Sequence, residues 1–329
     1  MIKVVGIGNP VMDFLIHTRK IPKTNESCRL EEYSWQGGGK VPSALVALGR
    51  LGVKTGMVGV VGNDAFGRFL IDDFKRHDVD VSRLYVDPNG QTSFCICLSE
   101  EETQGRSFIG RQPNLRKLTL EDLDREYITQ GDYLHLSHMT PVTRQAALWS
   151  REKGNTVVFD ADYYQEEIEK NYGLIDVFIA SEFYYRAVFQ DDNHEENCRL
   201  IQKEGPDIVI FTFGEHGCLG VYGDKYFEMP AFKVKVMDTT GAGDVFHGAF
   251  IYGLIQGWDV EDIARFSSAV SAIKCTRVGG RAGIPDLPTV EQFLKDGTID
   301  YREIDQRVAF YRDHMFNLQG ESMVETCLA

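Results

Sequence analysis

The sequence predicts an α/β fold: a mostly parallel central sheet covered by helices on both faces. Three observations carry that prediction. Short β-type apolar runs at 3–8, 55–61, 133–136, 156–160, 177–180 and 208–213 alternate with helical patterns at 41–51, 66–77, 143–153, 195–204, 243–256 and 263–275. The chain has 329 residues, enough for one large α/β domain or two smaller ones. Its composition, 43% hydrophobic and 26% charged, is that of an ordinary soluble globular protein.

The first run, 1–8, is too short and too soon interrupted for a signal peptide and reads as a buried strand. Two later stretches, 14–36 and 91–111, break the strand–helix rhythm. The second holds the alternating run Thr92–Leu98, a polar turn at 100–105 and a second apolar run from Arg106 to Ile109, which is a hairpin pattern. Both stretches read as one small antiparallel sheet projecting from a core built of 1–13, 37–90 and 112–329. An amphipathic helix over 300–320 completes the core, and there is no internal repeat.

The formal net charge is −14, which argues against nucleic acid as a partner and offers no polybasic membrane anchor. No apolar run approaches the ~20 residues that span a bilayer. The cysteines, at 28, 95, 97, 198, 218, 275 and 327, are scattered, odd in number and without a Cys-x-x-Cys pair. That pattern predicts reduced thiols in a cytoplasmic protein, with Cys95 and Cys97 on one face of a strand.

The most informative segment is Asp238-Thr239-Thr240-Gly241-Ala242-Gly243-Asp244-Val245-Phe246. Two carboxylates bracket a Gly-Ala-Gly turn, and Val245, Phe246, Ala249, Phe250 and Leu254 follow at helical spacing. A turn that feeds a helix aims N–H groups and the positive end of the dipole at one spot, which suits a phosphoryl group. A carboxylate repels phosphate, so Asp244 makes sense there as the acceptor of a proton from an attacking hydroxyl. For a bare Gly-x-Gly-Asp, a simple turn with a dipole-stabilising Asp stays open. Two other glycine-rich stretches fail their motifs. Gly6-Ile7-Gly8-Asn9-Pro10-Val11 lacks the third glycine of a dinucleotide fingerprint and carries a proline in the turn. Gly37-Gly38-Gly39-Lys40-Val41 has Ser34 and Val41 where a P-loop needs glycine and a hydroxyl.

The full nine-residue run resembles the second signature of the ribokinase-like (PfkB) family of carbohydrate and nucleoside kinases. The stretch 37–52 resembles the first: glycines before a helix rich in small residues, with Ser43 where many members carry Asn. The likeness runs from Gly6 to about Phe293. It implies a three-layer α/β/α core whose small β lid covers a sugar and takes part in a homodimer. It implies Asp244 as catalytic base and the amides of Gly241, Ala242 and Gly243 as an anion hole. Asp13, Gly38, Gly39 and Ser43 would hold the sugar, and Arg111 is a candidate for an anionic group on it. Thr212, Gly214 and Gly217 form a Thr-x-Gly-x-x-Gly loop that, with Ser268 in the helix 266–275, would hold ATP.

Magnesium would bridge the ATP phosphates. Where relatives carry Asn-x-x-Glu near that metal, this chain has Ser181-Glu182, which leaves Glu182, with Asp160 or Asp162, for the part. In relatives, carbonyl oxygens of the loop 276–283, here with Arg277, Gly279 and Gly283, join positions like Asp238 and Thr240 around a potassium ion. The C-terminal half resembles the branch containing sulfofructose kinase, although Ser27-Cys28-Arg29 stands where a sulfonate-binding lysine is expected. The expected function is an ATP-dependent kinase acting on a primary hydroxyl of a ribose-, fructose- or related keto sugar. The alternatives are a sulfofructose kinase, a nucleoside kinase stacking a base on Phe94 or Phe108, and a non-catalytic sugar-binding protein.

Overall fold

Strand β1 (Val4–Ile7) is apolar and fully buried, and the fold is laid out around it. Helix α1 (Lys40–Arg50) packs directly on its glycines. A Cβ at Gly6 would stand 2.5 Å from Val41 Cγ1, and one at Gly8 2.8 Å from Val41 Cβ. The Gly6–Gly8 pair is therefore a helix-packing surface, which explains its failure as a dinucleotide turn. The structure, a computed structural model, describes residues 1–326 apart from Gln104 and Gln112, and beyond residue 314 it describes the backbone alone.

β1 pairs in parallel with β4 (Thr55–Gly62) on one side and β8 (Tyr133–Leu136) on the other. The sheet continues from β4 to β5 (Val79–Asp87). From β8 it runs through β9 (Thr156–Ala161), β10 (Val177–Ser181) and β11 (Ile208–Thr212), all parallel. The antiparallel pair β12 (Cys218–Tyr222) and β13 (Lys225–Met229) closes that edge. The expected parallel strands are all present. β5, β12 and β13 are additional strands; β5 and β13 are the sheet's edges and carry polar residues on their solvated side, while the buried β12 is a short run broken by Gly220.

Period-two alternation splits the sheet into two faces. Val4, Met57, Val158, Val177 and Ile210 join a core with α1, α2 (Ala65–Arg76), α8 (Ala242–Gln256) and α9 (Val260–Lys274). Val5, Val58, Leu134, Phe159, Phe178 and Phe211 join a second core with α4 (Pro141–Lys153) and α7 (His194–Lys203). The result is the expected three-layer arrangement. α10 (Leu287–Asp296), started by an Asp286 side chain that accepts from Thr289 N–H, was not foreseen. The C-terminal helix, α11, spans Arg302–Thr326. Cys327 lies outside the described residues, and the other cysteines are free thiols.

A separate sheet has the order β3-β2-β6-β7, built from β2 (Val11–Thr18), β3 (Glu32–Gly38), β6 (Ser93–Glu100) and β7 (Arg106–Arg111). Its hairpins are antiparallel, while the central β2–β6 pair runs parallel. The sheet takes in Val11–Asp13 and Gly37–Gly38 as well as the stretches expected for it, so Asp13 and Gly38 sit on its strands.

A buried charge network ties this sheet to the core. Arg281, fully buried, donates through Nη1 to Asp73 at 2.6 Å and through Nη2 to the Gly38 carbonyl at 3.2 Å. Asp73 also accepts from the Tyr311 hydroxyl at 2.6 Å, which links α2 to α11. A buried charge robbed of its partner is strongly destabilising. Asp73→Ala is therefore expected to lower the unfolding free energy by about 3–5 kcal/mol in urea denaturation. A loss below about 0.5 kcal/mol, the range of an ordinary surface substitution, would contradict this account of the network.

Candidate active site

The parallel strands end on one edge of the core sheet, and the chain leaves β1 first toward β4 and later toward β8. A crevice at the carboxyl ends of strands beside such a reversal is the usual ligand site of an open α/β sheet. Asn9 to Asp13 follow β1, Asp160 and Asp162 lie at the end of β9, and Ser181 and Thr212 end β10 and β11.

Across this edge lies the N-terminus of α8. Gly241 is its N-cap with φ +75°, a left-handed conformation suited to glycine. A Cβ there would also stand 2.9 Å from Gly280 Cα. The first N–H groups of a helix have no preceding turn to bond. Ala242 N–H closes onto the Thr239 carbonyl at 3.2 Å, while Gly243 is exposed with open space beside it. Asp244 sits in this first turn, partly open to the cleft. Burial lifts its pKa well above the usual carboxylate range, and the charge of Asp160 adds to the lift. Lys40 opposes it. A carboxylate that holds a proton near neutrality is suited to general base work.

Lys40, at the start of α1, was passed over when the P-loop reading failed. Its Nζ lies 3.2 Å from Asp162 Oδ2. Burial works against its charge, but Asp160, Asp162 and Asp244 outweigh burial and raise its pKa. Behind this group, His247 Nε2 approaches Asp160 Oδ1 at 3.6 Å and stacks near His135. Burial pushes both imidazoles down to about 3, so they stand neutral and add no charge to the cleft.

Asp13, Gly38 and Gly39, expected on the sugar side, come together beyond the end of β1. A Cβ at Gly38 would fall 1.8 Å from Asp13 Oδ2, so the Asp13 carboxylate lies directly over a bare backbone. Gly39 has φ +94° and faces the Asn9 carbonyl. Burial lifts Asp13 to about 7, against the pull of Arg281. Cys95 and Cys97 lie beside it, with their Sγ atoms 3.8 Å apart. Burial raises both thiol pKa values, so the thiols stay protonated and form a soft floor. Ser43 is buried in the first turns of α1. Arg111 is elsewhere: it is exposed and donates to Gln91. Arg106, at the other end of β7, reaches the anion turn and donates to the Thr239 carbonyl at 2.9 Å. The two arginines are five residues apart, so strand alternation puts them on opposite faces of β7.

On the other side of Asp244, Thr212 donates to the Ala180 carbonyl at 3.4 Å, and Gly214 and Gly217 take φ +54° and +94°. A Cβ at Gly217 would stand 2.0 Å from the Met229 carbonyl. Ser268, on α9, lies close enough to the Cys218 thiol to pull its pKa down against the effect of burial. Ser181 caps α6 (Glu182–Val188) and donates to the Asp162 carbonyl at 2.6 Å. Glu182 pairs with Arg186 at 3.5 Å. These residues line up along the ends of β9, β10 and β11.

The remaining group surrounds the start of the anion turn. Asp238 is buried; its Oδ1 accepts from Thr240 N–H and Oγ1, and its Oδ2 from Gly279 N–H at 2.8 Å. Asp238 and Thr240 are two positions the resemblance sets around potassium, and their main-chain carbonyls both accept from Lys274 Nζ. The Arg277 side chain turns outward to Asp305 at 2.7 Å, and Gly283 packs on the Lys274 carbonyl. Sequence reasoning read 263–275 as a helix and missed Lys274, because only the fold brings its end to these oxygens.

Comparisons with known proteins agree with this geometry. The chain is 30% identical over 331 residues to 5-dehydro-2-deoxygluconokinase from Clostridium perfringens, covering 92% of this chain and 95% of the relative. It is 28% identical to a ribokinase from Lactococcus lactis, covering 90% and 98%. Among solved structures, ribokinase from Thermotoga maritima superposes with a TM-score of 0.76 at 26% identity, covering 90% of this chain and 100% of that one. The description "pfkB family carbohydrate kinase" matches residues 1–287, so the chain belongs to the pfkB family of carbohydrate kinases.

Proposed function

We propose that this ATP-dependent sugar kinase transfers the γ-phosphoryl group to a primary hydroxyl of a keto sugar, with Asp244 as the base. The observation that carries the reading is the position of a desolvated carboxylate in the first turn of α8, beside that helix's unbonded N–H groups. The sugar hydroxyl would lie against Asp244, with its neighbours held by Asp13 over Gly38 and Gly39. As the hydroxyl oxygen bonds to phosphorus, the bond from phosphorus to the bridging oxygen breaks, ADP departs, and the proton passes to the Asp244 carboxylate. Amides of Gly241 and Gly243 would meet the charge on the transferring group, whereas Ala242 N–H, expected beside them, is already taken by the Thr239 carbonyl. Lys40 keeps Asp162 and Asp244 from repelling the phosphates outright.

ATP would lie along the 212–217 loop and Ser268. Asp162 and Glu182 offer carboxylate oxygens at the phosphate end, the donor type that suits a hard divalent cation, directly or through water. Magnesium, when bound, neutralises charge on the phosphates. The small sheet would act as a lid that excludes water from the transferring group. Its outer strand β7 is exposed along its length, Phe108 and Ile109 included, which supports a homodimer built through that edge.

A keto sugar acid of the 5-dehydro-2-deoxygluconate type is the second reading. The similarity to the Clostridium perfringens enzyme supports it, and Arg106 and Lys40 are cations available for its carboxylate. ADP release with MgATP against keto sugars, sugar acids, sulfosugars and nucleosides separates these substrates. Asp244→Asn is expected to lower turnover of the active sugar by about a hundred- to ten-thousand-fold. Turnover equal to wild type would remove Asp244 from the role of base.

The raised pKa values carry a stability consequence. A carboxylate that binds its proton more tightly when folded contributes stability that is fully present below its ordinary pKa. That stability is lost as pH rises through the raised value, about 7 for Asp13 and likewise raised for Asp244. Asp244→Asn escapes this loss. Its melting temperature is expected to exceed that of wild type on the alkaline side of neutrality, by the equivalent of about 1 kcal/mol, and to converge with it only as pH falls below the ordinary aspartate pKa. A difference independent of pH would show that Asp244 is not desolvated.

A further inference from the structure

We infer that Lys274 is this kinase's built-in monovalent cation: its charged side chain fills the position where the family resemblance expects potassium, so the anion turn is organised without a bound ion. Lys274 is the last residue of α9, and its side chain is fully buried. Lysine is almost never buried to that degree without partners. Its Nζ donates to the Asp238 carbonyl at 2.9 Å and to the Thr240 carbonyl. Those oxygens belong to two of the residues that the resemblance sets around the ion, and an ammonium in contact with them occupies the space a second cation would need.

The surroundings are built for a fixed positive charge. The C-terminal end of a helix carries a partial negative charge that favours a cation. The Met237 and Asp238 N–H groups donate to the Cys275 carbonyl at 2.8 and 3.2 Å, which holds the start of the turn against the end of α9. Ser271, on the same helix, donates to the Ala242 carbonyl at 2.9 Å. α9 thus grips the carbonyls of Asp238, Thr240 and Ala242, and the opposite ends of those peptides carry the turn's N–H groups. An ammonium offers directional donors and cannot dissociate from the chain, whereas an ion must be recruited from solution. Lys274 is on this account a positioning residue, acting through the turn and touching no reacting atom.

The inference rests on reading the 241–244 turn as the phosphate site, and one arm of its test is independent of that reading. Wild type and Lys274→Ala are compared in buffers where choline replaces potassium at constant ionic strength. The readouts are melting temperature and affinity for a non-hydrolysable ATP analogue with magnesium. Wild type is expected to be indifferent to potassium in both. Lys274→Ala is expected to bind the analogue about tenfold more weakly in choline. Potassium should restore that binding and raise the variant's melting temperature. A wild type whose melting temperature rises with potassium would overturn the inference, as would a folded Lys274→Ala that responds to potassium in neither readout. Should Lys274→Ala fail to fold, the same comparison with Lys274→Met and the wild-type arm decide. Failure of every form to bind the analogue would strike the kinase reading, while the melting temperatures would still decide the cation.

Discussion

The proposed chemistry turns on one electrostatic constraint: a carboxylate must sit beside the place where phosphate would bind, and it must be short of water. Asp244 meets both conditions because it occupies the first turn of a helix whose N-terminus opens into a cleft of protein. Left alone, such a carboxylate would repel the phosphates. Lys40 supplies the compensating charge, held 3.2 Å from Asp162 and close enough to Asp244 to act on its proton affinity. Asp160 acts in the opposite sense and keeps Asp244 basic. The cluster is a balance of like and unlike charges in a low-dielectric setting, where each counts for more than it would in water.

The same turn is where the two sheets meet. Gln36, on β3 of the small sheet, donates to the Val278 carbonyl at 2.9 Å and accepts from the N–H groups of Arg281 and Ala282 at 2.8 Å. The loop so held passes Gly279 N–H to Asp238, and Asp238 holds Thr240 at the start of the anion turn. The Gly37–Gly39 segment, the small sheet and the 238–244 turn, proposed as sugar site, lid and phosphate site, are thus joined through one hydrogen-bonded chain. Arg106 makes a second link, from β7 to Thr239. Movement of the small sheet on sugar binding would be felt at the turn through both links, which suits an enzyme that must not transfer phosphate to water.

Much of this was legible in the sequence, and what was missed has physical reasons. The layered fold followed from strand–helix alternation. Asp244 and its turn followed from a run of residues whose local geometry is nearly self-determined. Asp13 and Gly38 were named separately, and the structure adds that one lies over the other. Lys274 was invisible because a lysine at a helix end usually serves only the dipole, and nothing local says its side chain turns inward. Lys40 was discounted with the motif it failed to complete. Arg106 was not singled out, because nothing in the hairpin pattern says that its side chain reaches a turn 133 residues away. In each case the missing information was a contact distant in sequence, which only packing supplies.

The most direct test of this account is the proton affinity of Asp244 itself, followed by NMR in protein carrying isotope-labelled aspartate, with Asp244→Asn to assign its signal. The account requires Asp244 to titrate well above the usual carboxylate range and to move down when Asp160 is replaced by Asn. Titration at the ordinary aspartate value, indifferent to Asp160, would mean that the carboxylate is solvated and uncoupled, and the reading of this turn as a buried base beside a phosphate site would fail.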